Sequence, residues 1–344
     1  MPAPKPASAY AAAGVDIDAK MNALKRAKRS IQSTTTPGVL STIGSFGGLF
    51  QSPGSDSVLV SSIDGVGTKL NVAVMAGRHD TIGQDIVNHC VNDILVQGAT
   101  PLFFLDYIGT STLDPRVIAD IIAGVARACK ANHCALIGGE TAELPNLYPP
   151  GEYDLVGAII GVVKKKKIIT GQSIRPGDVI IGLPSSGLHT NGYSLARKIV
   201  FQQAGLTLKD VIPGTTTSVA AALLAVHRSY LKPVLKLMST VPVRGMAHLT
   251  GGGFYDNIPR VLPDHVDAVI EQDSWTLPPL FRFLQEAGSV TPEEMHRVFN
   301  MGIGYVVIVR AKDAPAALAA LKPARPRLIG RIVPGRRKVE LISG

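Results

Sequence analysis

Five short stretches of this 344-residue chain collect the residue types that handle charge. The first, Ser62-Ile63-Asp64-Gly65-Val66-Gly67-Thr68-Lys69, crowds a carboxylate, two glycines, a hydroxyl and an ammonium together. Glycine lets a backbone approach an anion closely, and lysine can neutralise it. The spacing is not GxxxxGK[ST], and Leu70 stands where GxGxxG needs its last glycine. The second runs from Asp85 to Pro101. In it Asp85, His89, Asn92 and Asp93 fall at helical spacing and share one polar face. A solvated face would also read this way, but this one carries no Lys, Glu or Arg. The third, Gly138-Gly139-Glu140-Thr141-Ala142-Glu143, follows an apolar run. If their loops converge, Asp64, Asp93 and Glu140 form a hard-oxygen cluster suited to Mg²⁺ and phosphate oxygens. No His/Cys set has zinc spacing. The fourth, Ser185-Ser186-Gly187-Leu188-His189-Thr190-Asn191-Gly192-Tyr193-Ser194, places hydroxyls, a histidine and an asparagine before a helix. The fifth, Leu249-Thr250-Gly251-Gly252-Gly253-Phe254, offers backbone N–H groups before another helix, where anions are favoured. Any one glycine loop could be a plain turn; five in one chain read as a site.

Alternating strands and helices must position these loops. Ser57 to Ile63, Pro101 to Ile108, Cys134 to Ile137 and Tyr153 to Val163 read as strands. Asp80 to Gln97 reads as a helix, as does the segment from Asp114 to about Lys130, with Pro115 in its first position. A composition break at Lys164–Lys167 and Gly171-Gln172-Ser173 puts a domain boundary near residue 170, giving domains 1–170 and 171–344. Beyond it, Asp178 to Leu183, Ile303 to Val309, Arg327 to Ile332 and Lys338 to Ile342 read as strands. Asn191 to Gln203, Ser218 to Met238 (interrupted at Pro233), Phe254 to Val261 and Asp313 to Leu321 read as helices. The fold class is two mixed α/β domains, with strand direction unreadable from periodicity.

Composition narrows the function classes. The longest clean apolar run, Leu155 to Val163, is too short to span a bilayer, so no membrane role is expected. Three cysteines, Cys90, Cys129 and Cys134, give no disulfide framework and suit a reducing cytoplasm. The net charge of +9 is concentrated in three basic runs: residues 1–30, Lys164–Lys167 and residues 321–338. The rest of the chain is mildly acidic. Aromatics make up 5% and the basic runs contain almost none, so a nucleic-acid partner is not expected. Such a module would bind generic DNA or RNA with steep salt dependence.

On these motifs the chain resembles the aminoimidazole ribonucleotide synthetase family, also called phosphoribosylformylglycinamidine cyclo-ligases. The resemblance starts at Tyr10 and Ala13-Gly14-Val15-Asp16-Ile17-Asp18 and takes in Asp64 to Lys69. It includes Asp93-x₄-Gly98-Ala99-Thr100-Pro101, similar to the DxxxxGAxP signature of the wider superfamily. It continues through Phe103 to Tyr107, Gly138 to Glu143, Ser185 to Ser194, His248 to Phe254 and Phe299 to Gly304. It implies an N-terminal domain for ATP binding and dimerisation, whose sheet pairs across a homodimer into a barrel, and a C-terminal α/β domain with substrate-phosphate loops. It implies an ATP-dependent ring closure of formylglycinamidine ribonucleotide to aminoimidazole ribonucleotide in purine biosynthesis, with small nucleotides as partners. ATP would be the co-substrate and Mg²⁺ the cofactor. Asp64, Gly65, Gly67, Thr68, Lys69, Asp93 and Gly98 would bind ATP; Asp64, Asp93 and Glu140 would hold the metal. Asp93, Glu140, His189 and Asn191 would be catalytic, with His189 and Asn191 orienting the formamide or moving a proton. Gly251, Gly252, Gly253 and Phe254 would cradle the substrate phosphate. Gly44 to Phe50 would be a lid, and Lys28 or Arg29 would reach the nucleotide.

Sister families fit less well. A selenophosphate synthetase needs an early Cys or selenocysteine, and no Cys precedes Cys90. A hydrogenase-maturation relative needs a C-terminal Cys tail, whereas this chain ends Leu341-Ile342-Ser343-Gly344. A thiamine-phosphate kinase fits the aspartates alone but lacks the His189 and Gly251 motifs, and the amidotransferase relative is much longer.

Overall fold

The computed structural model describes Leu40, residues 48–52 and residues 56–343. The expectations on Tyr10 to Asp18, on Lys28 and Arg29, and on the Gly44–Gly47 part of the lid fall outside the described residues.

The first sheet holds β1 (Gly48–Gln51), β2 (Ser57–Gly65), β3 (Thr100–Thr110), β4 (Ala135–Glu143) and β5 (Tyr153–Lys164), in the order β1-β2-β5-β3-β4. Neighbours are antiparallel except β3 and β4. A parallel pair needs a long crossover, and helix α3 (Pro115–Ala131) supplies it. Asp114 caps that helix, its carboxylate accepting from the Arg116 N–H at 2.9 Å, and Pro115 takes the first position. Before β3 come α1 (Lys69–Ala76) and α2 (Asp80–Leu95). Burial alternates along β5: Tyr153, Leu155, Gly157, Ile159, Gly161 and Val163 are buried and the single residues between them are half-buried. One face therefore lies under α2 and α3, and the other is open. Gly83 and Gly124 let these two helices cross backbone to backbone; a Cβ on either would strike the other helix's carbonyls. On the open face Phe50 and Ile63 are exposed, Ile63 by 69%.

The second sheet holds β6 (Asp178–Pro184), β7 (Gly245–His248), β8 (Val266–Glu271), β9 (Ile303–Arg310), β10 (Arg327–Pro334) and β11 (Val339–Ile342), in the order β11-β8-β10-β6-β9-β7. Only β11 and β8 are parallel. Its helices are α4 (Tyr193–Arg197, continued by a π-helical stretch Lys198–Gln203), α5 (Val219–Leu223), α6 (Leu231–Met238), α7 (Gly253–Asn257), α8 (Pro279–Gly288), α9 (Pro292–Val298) and α10 (Ala314–Leu321).

Three readings of the sequence change here. The strand placed at Cys134 to Ile137 runs on through the glycines to Glu143, because Gly138 to Glu143 pair with Leu105 to Thr110. The stretch Ser218 to Met238 does break, but at residues 224–230 rather than at Pro233, which sits inside the first turn of α6. Helices α1, α8 and α9 and strands β1, β7 and β8 are further elements beyond those read from the sequence, although Thr291 and Pro292 mark the start of α9. Among the described residues no helix is long and apolar enough to cross a membrane. All three cysteines are free and buried. Of the basic end, Arg331 pairs with Glu271 at 2.5 Å and Arg337 with Asp264 at 3.3 Å on the surface.

Candidate active site between the two sheets

The polar face of α2 is not solvated. Asp85, Asn88, His89, Asn92 and Asp93 are all buried, pressed against the second half of the chain. Four N-terminal side chains satisfy the backbone of the irregular segment 225–230. Lys69 Nζ donates to the Ala225 carbonyl at 2.7 Å, and Asp85 Oδ1 accepts from the His227 N–H at 2.7 Å. Asn88 Nδ2 donates to the His227 carbonyl at 2.7 Å. Asn92 donates to the Arg228 carbonyl at 2.8 Å and accepts from the Tyr230 N–H at 2.9 Å. Asn132 Nδ2 donates to Asn88 Oδ1 at 2.8 Å, and the Ser229 hydroxyl donates to Asn132 Oδ1 at 2.6 Å. These bonds replace the helical bonds that the segment gives up, which is why the predicted helix is interrupted there.

The three donors of the Lys69 ammonium are all spent on protein. It is wholly buried, 2.7 Å from Asp85 Oδ2, and its remaining bonds go to the carbonyls of Ala225 and His189, the latter at 3.1 Å. Burial pushes the Lys69 pKa down and that of Asp85 up, and their mutual contact opposes both shifts. The residue expected to bind ATP is therefore a tie between the two halves.

Nearer the surface lies an acidic mouth. Asp64, at the end of β2, keeps its side chain 46% exposed; its Oδ2 is 2.9 Å from His89 Nε2. Asp93 Oδ2 lies 3.6 Å from the same nitrogen and accepts from the Ser62 hydroxyl at 3.1 Å, while its Oδ1 is 2.8 Å from His248 Nδ1. Burial disfavours a charge on His89, but Asp64 and Asp93 overcome it and push its pKa up to about 9. Arg260 also belongs here: burial pulls its pKa down, and the charges of Asp93, Asp256 and Asp64 pull it up.

Four histidines from distant positions, His89, His189, His227 and His248, meet behind the mouth. All are buried. His227 Nε2 is 3.0 Å from His248 Nε2, and Thr190 Oγ1 bridges His227 Nδ1 at 3.3 Å and His89 Nδ1 at 2.7 Å. His189 stacks on His227 with centroids 3.9 Å apart and planes 17° from parallel. Its Nε2 accepts from the Ser186 N–H at 3.2 Å, and its Nδ1 has no hydrogen-bond partner. Burial, then neighbouring His248 and Lys69, hold its pKa well below the ordinary histidine value. His189 is therefore neutral, and because Nε2 accepts, Nδ1 carries the proton. The ring presents one buried, unsatisfied donor. Its φ of +63° is a left-handed conformation, unusual for a residue with a Cβ.

The remaining expected residues separate into two groups. Thr68 Oγ1 lies 3.1 Å from Ser194 Oγ, so the first and fourth motifs meet. Gly65 and Gly67 belong to the same turn, Gly67 with φ +69°. Asn191 Oδ1 lies 3.2 Å from the position of a Cβ on Gly251, so the fourth and fifth motifs also meet. Glu140 does not join them. The ladder pairs Asp64 with Gly157, Gly157 with Asp106 and Asp106 with Gly139. Asp64 therefore faces the helices, while Glu140, one residue on and paired with Tyr107, faces the open side. Three strand spacings, about 14 Å, also separate them. Gly98 ends α2 in a left-handed turn and packs near Met238 and Ile169 rather than at the mouth. Phe254 is a core residue, stacked on Trp275 at 5.9 Å. Gly253 has no room for a Cβ because the His296 carbonyl lies against it, and the Asp256 side chain occupies the space beside Gly252. The glycine run is thus required by packing, and a carboxylate stands beside it. Sequence reasoning gave no role to His227, His248 and Arg260. His248 adjoins a quoted motif, but His227 sits in a stretch that reads as an ordinary amphipathic helix.

Comparison with known proteins is extensive. Residues 46–163 match the model described as AIR synthase related protein, N-terminal domain, and residues 175–342 its C-terminal domain. A phosphoribosylformylglycinamidine cyclo-ligase of Geobacter sulfurreducens is 50% identical over 341 residues, covering 97% of this chain and 98% of that one. Its namesake from Alkaliphilus oremlandii is 47% identical over 337 residues, covering 96% and 99%. Among solved structures, AaThiL complexed with AMPPCP and TMP superposes with a TM-score of 0.66 at 13% identity, covering 95% of each chain. At that identity the likeness shows the fold alone.

Proposed function

The chain belongs to the AIR synthase related family, with that family's N- and C-terminal domains in order, and from this premise we propose how its residues divide the work. It is an ATP-dependent cyclo-ligase of purine biosynthesis, converting formylglycinamidine ribonucleotide to aminoimidazole ribonucleotide, ADP and phosphate. The observation that carries this is identity near one half along almost the entire length of relatives bearing that activity's name. An amide oxygen leaves poorly. Transfer of the γ-phosphoryl group to the formamide oxygen turns it into a phosphate leaving group. The amidine nitrogen then attacks the same carbon, the C–O bond breaks, and a proton leaves the nitrogen. Both ends lie in one molecule, so the chain supplies position and charge stabilisation rather than a covalent partner.

In our reading the acidic mouth receives the polyphosphate. Mg²⁺ is commonly held by one or two carboxylates together with substrate phosphates. Asp64 and Asp93 fit that requirement, since both converge on the spot now taken by the His89 imidazole. Bound there, the ion would neutralise phosphate charge. Glu140 does not fit this set within one chain. The Gly65–Thr68 turn and Ser194 offer N–H and hydroxyl donors to the nucleotide, and Arg260 supplies the cation that Lys69 does not. His189, through its free Nδ1–H, donates to the formamide oxygen or the phosphate forming on it, and Asn191 orients the same group. Its bond from Ser186 leaves it no free basic nitrogen, so its part is orientation rather than proton abstraction.

Residues 1–170 act as the ATP-binding and dimerisation domain, and 171–344 contribute the substrate loops, with Gly251 the part of the glycine run placed to face substrate. The open face with exposed Phe50 and Ile63 is the surface that a second copy covers in a homodimer. Soluble nucleotide substrates and three buried free thiols suit the cytoplasm. The test is direct: incubate the protein with formylglycinamidine ribonucleotide, ATP and Mg²⁺ and detect aminoimidazole ribonucleotide. ATP hydrolysis without that product would reject the assignment.

A further inference from the structure

His227 touches no surface, yet it is the most firmly held member of the histidine cluster. Its N–H is bound by Asp85 and its carbonyl by Asn88, each at 2.7 Å, so its backbone is fixed by the other domain. Its ring is anchored at both nitrogens, Nδ1 by Thr190 at 3.3 Å and Nε2 by His248 at 3.0 Å, with Asn92 Nδ2 3.2 Å from the same Nε2. Rotation of this fully buried ring would break both bonds. Against this ring lies His189, nearly parallel at 3.9 Å. Gly304 lies against the Cε1–Nδ1 side of the same ring, where an added Cβ would strike it. His189 is thus a plate in a slot: His227 covers its face, Gly304 lies along its Cε1–Nδ1 side, and the Ser186 N–H pins Nε2.

We propose that His227 is a positioning residue that fixes the plane and the proton-bearing edge of His189. The inference rests on the reading of His189 as the residue that meets substrate. It goes beyond that reading by assigning the slot's second wall and its anchors in the N-terminal domain. The same rings could also be taken for a metal site, since nitrogens of His189, His227 and His248 lie within 4.8 Å of one another. The hydrogen bonds argue otherwise. The free edge of His189 carries a proton, and the His227 and His248 nitrogens face each other at hydrogen-bond distance, sharing one proton.

His227→Phe keeps a ring of similar size in the slot but removes both anchors. In the full-length protein, kcat should fall on the order of ten- to a hundredfold, as slight misplacement of a catalytic group does, with KM for ATP and for formylglycinamidine ribonucleotide nearly unchanged. Nitrogen-15 spectra of the imidazoles should show His189 as a single Nδ1–H tautomer in the wild type and as exchanging tautomers in the variant. An unchanged kcat, or an unchanged His189 signal, overturns the proposal. If His227→Phe does not fold, Thr190→Val removes one anchor at nearly constant volume. It should shift the same two readouts in the same direction, with Thr190→Ser restoring them; a silent Thr190→Val likewise overturns the proposal. His189→Ala separates the two ideas. Full activity in that variant would reject His189 as a site residue, whereas the spectra test the slot without reference to turnover.

Discussion

Two polar clusters lie between the domains, built from similar residues and only a turn or two of α2 apart. In the inner one, Lys69, Asp85, Asn88 and Asn92 meet the backbone of residues 225–230, and every one of those side chains spends its bonds on protein. In the outer one, Asp64 is half exposed, His189 Nδ1 has no partner, and His89 holds a charge between two carboxylates that a cation or its ligands could take over. Residue type does not tell the two apart. A lysine, two asparagines and an aspartate make a joint where their valences are closed; two histidines and two aspartates make a site where the His189 Nδ1 donor is left open. Burial makes closure compulsory in the first case and makes the open donor costly, hence informative, in the second.

The sharpest way to break this contrast is Lys69→Met. If the inner cluster is a joint, removing the ammonium strands a buried carboxylate and should cost roughly 3–5 kcal/mol of stability, read by denaturant unfolding. Replacing Asp85 as well, in Lys69→Met/Asp85→Leu, should recover part of that loss. A Lys69→Met protein of normal stability whose KM for ATP has risen a hundredfold would return Lys69 to the phosphates.

The outer cluster should respond in the opposite way. Asp93→Asn should leave the unfolding midpoint close to wild type and lower product formation on the order of 10²–10³-fold. Near-normal turnover would remove Asp93 from catalysis. His189→Ala should lower kcat by about 10²-fold, the usual cost of one positioned donor, and change ATP affinity much less. Loss of ATP affinity with kcat intact would make His189 a binding residue only.

Much of this contrast was legible in the sequence and part of it was not. The five motifs are local, and four of them do meet: Asp64 with His89, Thr68 with Ser194, and Asn191 with Gly251. The capped helix after Asp114 was readable because caps are written in adjacent residues. Which members of a motif face the site depends on contacts more than a hundred residues apart. Lys69 was grouped with the phosphate ligands because nothing in its own segment announces Asp85 or the carbonyls of His189 and Ala225. His227 was missed because the segment around it carries helical periodicity, and only α2 from the other domain draws it out of the helix. Glu140 was grouped with Asp64 and Asp93 as though it began a loop, whereas β4 runs on to Glu143 and a pleat assigns alternate residues to opposite faces.

Glu140 also gives the smallest expected effect and the finest test of where the outer cluster ends. Asp64 lies on the helix-covered face of the sheet beside Asp93 of α2, and Glu140 lies on the bare face of the same sheet, about three strand spacings from Asp64. If one chain holds the whole site, Glu140→Gln should leave kcat within about twofold, the size of effect expected for an exposed residue away from special contacts. That bare face is also where a second copy is proposed to pack, so Glu140→Gln should act on association if it acts at all. Sedimentation of the variant against wild type would show this. A loss of turnover beyond tenfold at unchanged oligomeric state would mean that the third carboxylate reaches substrate across the interface, so that the site is completed by two chains.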